Sequence, residues 1–331
     1  MKLALVGAGK IVLSCLDALS QLDGITLVAL CVRPQSQAKG EALQQRYGIQ
    51  RLYTDYAQLL ADAEVEVVYL GLPNHLHFDY TRAALQAGRH VICEKPFTSN
   101  LAQLQQLVTL AKAQQCFLFE AITNLHSPQF AAIQQQLPRF GPIRLVQCNY
   151  SQYSSRYDDY LQGQVHAAFD PASSGGALYD INLYNVYLVC GLFGKPQQVS
   201  YHCQRGHNGI DTSGVLLLSY PGFTAVCCGA KDSASPSHVT IQGEKGYGRI
   251  NDAPNSCHAV EWQVAGETGG QAESSSLNQM VHEFRAFADC LQRQDLARCY
   301  AWLETALIVA EVLEQGRRSA GIRFAADAPL A

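Results

Sequence analysis

Residues 1–10 read MKLALVGAGK, and this stretch decides the fold of the amino-terminal part of the chain. It opens with a short apolar run broken only by Lys2, and the turn Gly7-Ala8-Gly9 follows at once. Residues 10–22 have the spacing of a helix, and residues 25–32 form a second apolar run. The order strand, glycine turn, helix, strand is that of the first half of a dinucleotide-binding unit.

The glycine turn suits a pyrophosphate group. Gly7 permits the tight turn out of the strand, and Gly9, which has no Cβ, lets the group approach backbone N–H donors at the start of a helix. Val12 replaces the third glycine of the usual fingerprint, and we expect this to affect helix packing more than phosphate contact. An ordinary strand-to-helix turn without a cofactor is the alternative interpretation.

The end of the second predicted strand indicates which dinucleotide binds. It reads Val32-Arg33-Pro34, with no acid to hold the adenosine ribose. The Arg33 guanidinium can instead form a forked contact with a 2′-phosphate, worth about 1.5–3 kcal/mol, and Lys39 can add to it. We therefore predict NADP as the cofactor. NAD is the alternative if Arg33 is only an exposed side chain that stacks on adenine.

Composition argues against several classes of protein. The chain has 331 residues, 48% hydrophobic and 16% charged, with a formal net charge of −4, so its length suits two domains with substantial cores. It has no basic cluster that would predict nucleic-acid binding, and no apolar run long enough to predict a membrane span. The first residues lack the features of a signal peptide, so we expect a cytoplasmic protein.

The twelve cysteines do not have the pattern of a disulfide set or of a metal site. They are widely spaced in apolar or helical segments, no CxxC motif occurs, and Cys227 and Cys228 are adjacent. We expect buried, reduced thiols and no bound metal.

A change of pattern along the chain predicts two domains. Residues 1–120 alternate strands and helices, which predicts a dinucleotide-binding α/β domain with a doubly wound parallel sheet of the Rossmann type. Residues 121–331 predict an α+β domain with a large, mostly antiparallel open sheet. The role of this domain in substrate binding and oligomerisation is an expectation that comes from a family resemblance carried by the motifs below. The Gly/Ser-rich residues 266–276 are expected to form a surface loop, and residues 325–331 a frayed tail. Strands of the second domain are predicted at residues 143–153, 197–204, 214–220, 224–229, 238–242 and 247–251.

Two local groups of residues suggest chemistry. Residues 72–77 (LPNHLH) and residues 93–96 (CEKP) follow predicted strands, and ligands of open α/β sheets bind outside such strand ends. Residues 174–185 (SGGALYDINLYN) contain a glycine pair that would let a helix start close to another backbone. Asp180 and Tyr184 lie four residues apart and so project from one face of that helix.

These motifs together resemble the Gfo/Idh/MocA family of nicotinamide-dependent oxidoreductases over nearly the whole chain. The match includes the amino-terminal glycine turn, Pro73-Asn74 with His77, Glu94-Lys95-Pro96, and residues 175–178 with Asp180 and Tyr184. Residues 120–128 (EAITNLHSP) and the tyrosine at 184 look like the branch that contains glucose-fructose oxidoreductase and dimeric dihydrodiol dehydrogenase. Val12 and Asn182 depart from the family pattern, and the second departure bears on helix packing and active-site shape.

The resemblance implies a Rossmann domain followed by an α/β domain whose open sheet often forms the oligomer interface, as a homodimer or homotetramer. It also implies a lysine and a tyrosine beside the nicotinamide, which would be Lys95 and Tyr184. Asp180 is the third predicted catalytic residue, since it can orient Lys95 or bind a second substrate hydroxyl. The predicted cofactor contacts are Gly7, Gly9, Lys10, Ile11, Arg33, Leu72, Pro73, Asn74, His77, Glu94 and Lys95.

The mechanism that follows is hydride transfer coupled to proton removal from a secondary alcohol. A tyrosine has a pKa of about 10, and an adjacent ammonium lowers it by favouring the phenolate. Lys95 beside Tyr184 would supply that ammonium and would stabilise the alkoxide as it forms. His77 is expected to support the loop under the cofactor, and Glu94 to orient its turn. The structural alternatives are a core tyrosine at Tyr184, a helix anchor at Asp180 and a packing histidine at His77.

The substrate class comes from the resemblance: a sugar, polyol or cyclic diol. Two other functions stay open. One is a regulator of the same fold that binds the dinucleotide and a ligand without catalysis. The other is a reductase that runs the reaction in the opposite direction, which an NADP preference would favour.

Overall fold

The computed structural model describes residues 1–274 and 276–327. These residues form two compact units. The first comprises Met1–Thr98, Ala102–Ala121 and Asn278–Glu304. The second comprises Ser99–Leu101, Ile122–Leu277 and the described residues from Thr305 onward. The predicted division into residues 1–120 and 121–331 stays a prediction, because compactness alone does not define a functional domain.

The first unit is built on a six-stranded parallel sheet. Its strands are β1 (Lys2–Val6), β2 (Thr26–Cys31), β3 (Arg51–Tyr53), β4 (Val67–Leu70), β5 (His90–Glu94) and β6 (Leu118–Ala121). They lie in the order β3-β2-β1-β4-β5-β6, and every neighbouring pair is parallel. This is the doubly wound Rossmann arrangement, with its switch point between β1 and β4, so the predicted fold of this part is confirmed.

Helices connect these strands, and local chemistry sets several of their ends. They are α1 (Lys10–Leu19), α2 (Gln37–Tyr47), α3 (Tyr56–Ala61), α4 (His77–Gln86) and α5 (Leu101–Ala113). The Asp55 carboxylate accepts from the backbone N–H of Ala57 at 2.8 Å and so caps α3. Gly48, at φ +66°, ends α2 in the left-handed conformation that glycine adopts most easily.

The second unit contains an eight-stranded, mostly antiparallel sheet. Its strands are β7 (Ile143–Ser151), β8 (Gln198–Arg205), β9 (Asp211–Tyr220), β10 (Phe223–Ala230), β11 (His238–Gly243), β12 (Gly246–Ile250), β13 (Ala259–Val264) and β14 (Glu267–Ala272). The order is β14-β13-β12-β11-β7-β10-β9-β8, and β7 with β10 is the one parallel pair among these described strands. The predicted antiparallel sheet is therefore confirmed.

Helices cover one face of this sheet. They are α6 (Pro128–Gln136), α7 (Tyr157–Leu161) and α8 (Leu183–Phe193), the last preceded by a π-helical turn, Leu178–Asn182. Alternate strand residues such as Cys148, Leu216 and Cys227 belong to one buried cluster with Val186 and Val189 of α8. The period of two along each strand explains why only one face contributes to this core.

Two further helices follow the sheet: α9 (Met280–Gln292) and α10 (Leu296–Ser319). In the first unit, α9 returns to α1, and the Asn278 side chain just before it donates to the backbone oxygen of Ser14 at 2.8 Å. The first unit therefore includes a segment from late in the sequence, Asn278–Glu304.

The loop predicted at residues 266–276 is wrong over β14, which pairs with β13 as an edge strand. Its glycines are used for packing, because a Cβ at Gly269 would lie 2.5 Å from Nε1 of Trp262 on the paired strand. Residue 275 lies outside the described residues.

The frayed tail predicted at residues 325–331 is also wrong where the structure describes it. Ala325–Asp327 form a 3₁₀ turn, and the Asp327 carboxylate pairs with the fully buried guanidinium of Arg317. Residues 328–331 lie outside the described part of the chain.

Candidate active site

A cleft of about 570 Å³ lies in the first unit, outside the carboxyl ends of β1, β2 and β4. This is the switch-point position at which doubly wound sheets bind nucleotides. Five of the predicted cofactor residues line it: Gly7, Gly9, Arg33, Leu72 and Pro73.

The glycine turn has the shape that a pyrophosphate group requires. Gly7 has φ +112°, and a Cβ there would lie 2.5 Å from the backbone oxygen of Gly71, so only glycine fits. Gly9 is the N-cap of α1, and a Cβ on it would meet nothing within 4 Å. The space in front of the helix N-terminus is therefore open, and the N–H groups there favour an anion.

Val12 is accommodated by a glycine on a neighbouring element. Its side chain is fully buried, and a Cβ at Gly71, just beyond β4, would lie 2.5 Å from Cγ2 of Val12. Val12 is thus a large residue at a position that usually carries a small one, and the glycine at position 71 leaves room for it. The sequence analysis did not identify Gly71, because its pairing with Val12 depends on tertiary contact.

The adenosine end of the cleft is basic. Arg33 and Lys39 both line it and are exposed, and Arg33 directly precedes the 3₁₀ turn Pro34–Ser36. Among the described residues that line the cleft there is no aspartate or glutamate. A phosphate on the ribose would meet positive charge here.

His77 joins two loops at the edge of the sheet. Its ring is buried at the start of α4, with Nδ1 2.8 Å from the Pro96 oxygen and Nε2 2.9 Å from the Leu72 oxygen. Burial lowers the pKa of His77. The ring therefore ties the loop after β4 to the turn after β5.

Lys95 follows β5 and is held by its neighbour. Glu94 is buried, the Tyr69 hydroxyl donates to its Oε1 at 2.7 Å, and the backbone N–H of Lys95 donates to its Oε2 at 3.2 Å. Burial raises the pKa of Glu94. The Lys95 side chain is half-buried at the carboxyl end of its strand.

A buried acid lies near Glu94 that the sequence did not predict. Glu283 of α9 is fully buried, and neither carboxyl oxygen has a hydrogen-bond partner among the described residues. Burial, together with the negative charges of Glu94 and Glu120, raises the pKa of Glu283 well above its ordinary value. Burial and the neighbouring negative charges therefore both disfavour the ionised form of this carboxyl. No local pattern marks it, since α9 is distant in sequence from the strands it covers.

In the second unit, the predicted glycine pair does let a helix begin against other backbone. A Cβ at Gly175 would lie 2.5 Å from the backbone oxygen of Ala167, and one at Gly176 would collide with the Asp211 carboxylate. That carboxylate accepts from the N–H of Leu178 at 2.7 Å. Asp211 thus accepts a backbone hydrogen bond at the helix start.

The four-residue spacing of Asp180 and Tyr184 assumes a regular α-helix. The structure instead has a π-helical turn before the α-helix. Asp180 lies in the π-helical turn Leu178–Asn182, and Tyr184 lies in the first turn of α8. The buried Asn182 donates to the Cys227 oxygen at 3.0 Å, and a Cβ at Gly229 would lie 2.6 Å from its Cβ. Asn182 thus binds the backbone of β10 where a glycine makes room, and π turns of this kind often occur at functional sites.

Asp180 is paired with a lysine that the sequence analysis missed. Its Oδ2 lies 2.7 Å from Nζ of Lys231, the residue after β10. Lys231 is almost fully buried, whereas a third of the Asp180 side chain is exposed. The only available sequence clue was the charge of Lys231 at the end of an apolar strand.

Tyr184 is half-buried at the edge of a small apolar cluster. The cluster consists of Tyr150, Ile181 and Ala253, and the rings of Tyr150 and Tyr184 are 6.1 Å apart. The backbone oxygen of Tyr184 accepts from the Asn124 side chain at 2.8 Å. Lys95 belongs to the first unit and Tyr184 to the second, so their action as a pair stays a prediction.

The remaining predicted cofactor residues take up positions beside the cleft. Lys10 and Ile11 are the first residues of α1, and Asn74 begins the 3₁₀ turn that ends at Leu76.

Over residues 1–274 and 276–327, no three His, Cys, Asp or Glu side chains are placed to hold a metal ion. No helix in that part of the chain has the length and apolar character needed to cross a membrane. All twelve cysteines are free thiols, and ten are buried.

Comparison with known proteins agrees with this architecture. Residues 1–122 match the model of the oxidoreductase family with an NAD-binding Rossmann fold, and residues 136–249 match the GFO/IDH/MocA C-terminal domain. The scyllo-inositol 2-dehydrogenase (NADP(+)) IolU of Bacillus subtilis (strain 168) is 30% identical over 331 residues, or 99% of both chains. The trans-1,2-dihydrobenzene-1,2-diol dehydrogenase of Bos taurus is 29% identical over 91% of this chain and 90% of its own.

Solved structures share the fold at low sequence identity. KijD10, a 3-ketoreductase from Actinomadura kijaniata solved with NADP, superposes with a TM-score of 0.79 at 22% identity, covering 96% of this chain and 97% of its own. A levoglucosan dehydrogenase in complex with NADH and levoglucosan has a TM-score of 0.84 at 16% identity and covers 97% of both chains. The Rossmann cleft, the antiparallel sheet and the full-length match agree: the chain belongs to the GFO/IDH/MocA family of NAD(P)-binding oxidoreductases.

Proposed function

We propose that this enzyme transfers hydride between NADP and a secondary alcohol, or its ketone, on a sugar, polyol or cyclic diol, with Lys95 and Tyr184 as the acid–base pair. The observation that carries the proposal is the position of Lys95. It directly follows β5, the strand next to the switch-point strand β4, and Glu94 orders its backbone. Substrates of open α/β sheets bind outside such strand ends.

NADP is favoured by the charge of the cleft. Arg33 and Lys39 line it without an acid among its described lining residues. Gly7 and Gly9 leave room for the pyrophosphate at the start of α1, while His77 ties together the loops beside it. The relative IolU is named as NADP-dependent, which agrees with this choice.

The acid–base chemistry follows from the two side chains. A bound dinucleotide supplies the hydride acceptor, or the donor in the reverse direction. The phenolic oxygen of Tyr184 takes the hydroxyl proton, and the Lys95 ammonium favours the phenolate and then stabilises the alkoxide. Asp180 accepts a hydrogen bond from a second substrate hydroxyl. In the reverse direction Tyr184 returns the proton to the carbonyl oxygen.

The substrate class is supported by the named relatives. Scyllo-inositol and trans-1,2-dihydrobenzene-1,2-diol both carry neighbouring hydroxyls on a six-membered ring. A carboxylate beside the reacting group can accept a hydrogen bond from the second hydroxyl. We therefore propose a ring with neighbouring hydroxyls as the preferred substrate, in a cytoplasmic enzyme.

The test is a screen of NADP⁺ and NAD⁺ reduction against sugars, inositols and trans-dihydrodiols. Lys95→Met and Tyr184→Phe should each lower kcat by about 10²–10⁴-fold, the usual contribution of general acid–base groups. The affinity for NADP, measured by fluorescence titration, should stay nearly unchanged.

The matched control is Lys112→Met, which removes a surface lysine of the first unit that pairs with Glu304 at 3.4 Å. It should leave kcat unchanged. Near-normal turnover in both Lys95→Met and Tyr184→Phe would show that the catalytic assignment is wrong. Ligand binding without any turnover of the wild type would favour a regulator instead.

A further inference from the structure

We propose that Lys231 is a positioning residue of the substrate site, whose ammonium holds the Asp180 carboxylate in the orientation that accepts from the substrate's second hydroxyl. The inference rests on the proposed function and names a residue that no sequence motif marks. Both residues belong to the second unit. Their ion pair joins the end of β10 to the π-helical turn before α8.

Lys231 is held in one place by three groups. Its Nζ lies 2.7 Å from Oδ2 of Asp180, donates to the Ala168 oxygen at 2.6 Å, and lies 4.2 Å from the centre of the Phe169 ring. Its backbone N–H donates to the Thr212 oxygen at 2.8 Å. An ammonium that is 3% exposed needs a carboxylate partner, because an unpaired buried charge is strongly destabilising.

The neighbouring carboxylate does not take the place of Asp180. Asp232 follows Lys231 directly, but its Oδ2 accepts from the hydroxyls of Thr212 at 2.7 Å and Ser213 at 2.8 Å. Lys231 is therefore paired with the acid on the π turn rather than with the one beside it in sequence.

The carboxylate is the accessible half of the ion pair. Lys231 is 3% exposed, whereas Asp180 is 33% exposed. A carboxylate can accept several hydrogen bonds, and the part of Asp180 that solvent reaches can also be reached by a substrate hydroxyl. The buried lysine thus fixes a carboxylate whose outer part can accept from a polyol hydroxyl.

The test uses Lys231→Met, Asp180→Asn and the double variant, with scyllo-inositol as the probe. Binding of scyllo-inositol to the enzyme–NADP⁺ complex is measured by calorimetry, and KM and kcat by NADPH formation. We expect Lys231→Met to weaken binding and raise KM about 10- to 100-fold, the range for a hydrogen bond to a charged group. The effect on kcat should be smaller, and NADP⁺ affinity should not change.

The double variant distinguishes positioning from general stability. If Lys231 acts through Asp180, Lys231→Met/Asp180→Asn should bind scyllo-inositol no more weakly than Asp180→Asn alone. Lys195→Met is the matched control, since it breaks an exposed ion pair with Glu311 in the same unit and should not change binding. If Lys231→Met does not unfold cooperatively, Lys231→Gln, which keeps a donor for the Ala168 oxygen, replaces it under the same criteria.

The outcomes separate the two proposals. Equal binding by Lys231→Met and the wild type, or losses that add in the double variant, would overturn the role of Lys231. If the wild type binds scyllo-inositol but forms NADPH from no polyol, the proposed reaction is wrong. The affinity of Lys231→Met for scyllo-inositol, relative to that of the wild type, still decides the role of Lys231. If the wild type does not bind scyllo-inositol but oxidises another compound of the screen, the same variants are compared with that compound under the same criteria. A wild type that neither binds nor oxidises any compound of the screen would overturn both proposals.

Discussion

Arg33 occupies the position where a dinucleotide-binding unit that uses NAD carries an acid. It is exposed at the cleft with Lys39, and the described lining residues include no carboxylate. A guanidinium can contact two phosphate oxygens at once, whereas an acid would repel them. A single side chain thus bears on cofactor choice without changing the fold.

Removing Arg33 should lower the preference for NADP. We expect Arg33→Ala to reduce the ratio of NADP to NAD affinity about 10- to 100-fold, because a charge-assisted hydrogen bond is lost. Fluorescence titration of both cofactors measures the ratio. Arg46→Ala, which removes an exposed arginine of α2 near Asp17, serves as the control. An unchanged ratio in Arg33→Ala would remove Arg33 from the account of specificity.

At the scale of elements, both departures from the family pattern are matched by glycines on neighbouring segments. Val12 of α1 lies against Gly71, just after β4, and Asn182 of the π turn lies against Gly229 of β10. In each case a large residue on the helical segment meets a glycine on or beside a strand. Close packing requires this compensation, since protein interiors leave little spare volume.

The second pair predicts a specific coupling. Gly229→Ala places a methyl group 2.6 Å from the Cβ of Asn182, so we expect it to lower the free energy of unfolding by about 1–3 kcal/mol. With Asn182→Gly in the same chain the methyl group has room, and the penalty of Gly229→Ala should shrink. Urea unfolding of the wild type, both single variants and the double variant measures the coupling. Strictly additive penalties would show that the two residues do not compete for space.

At the scale of the whole molecule, the outer face of the second sheet includes an apolar strip on the paired strands β9 and β10. Leu216 and Leu218 of β9 are buried in the core, while the alternate residues Val215 and Leu217 stay half-exposed. Val226 of β10 is half-exposed in the same way. Apolar surface of this kind marks interaction sites. We propose that it forms the interface of a homodimer or homotetramer.

Solution scattering tests the assembly. We expect a mass of at least twice 36.2 kDa for the wild type, and a shift toward the monomer for Leu217→Asp, because a charge on this face must be desolvated in the interface. Leu161→Asp, at an exposed position of α7, should leave the mass unchanged. A monomeric wild type would reject the proposed interface.

Local pattern by itself determined the class of each sheet and the position of most strands. The apolar run at residues 25–32 contains β2 (Thr26–Cys31), and the strand predicted at residues 143–153 contains β7 (Ile143–Ser151). The switch-point cleft was predictable too, since strand ends and glycine turns are written in consecutive residues. Prediction failed at β14, because its Gly-rich composition suggests a loop and only its pairing with β13 and Trp262 makes it a strand.

Tertiary structure alone decided which distant residues meet. Lys231 pairs with Asp180 because the end of β10 passes the π turn, and no spacing in the sequence encodes that approach. Glu283 becomes a buried acid with a raised pKa only because α9 folds back onto the first sheet. Charge, pKa and hydrogen bonding at such positions depend on burial and on neighbours from other elements, which a linear pattern does not contain.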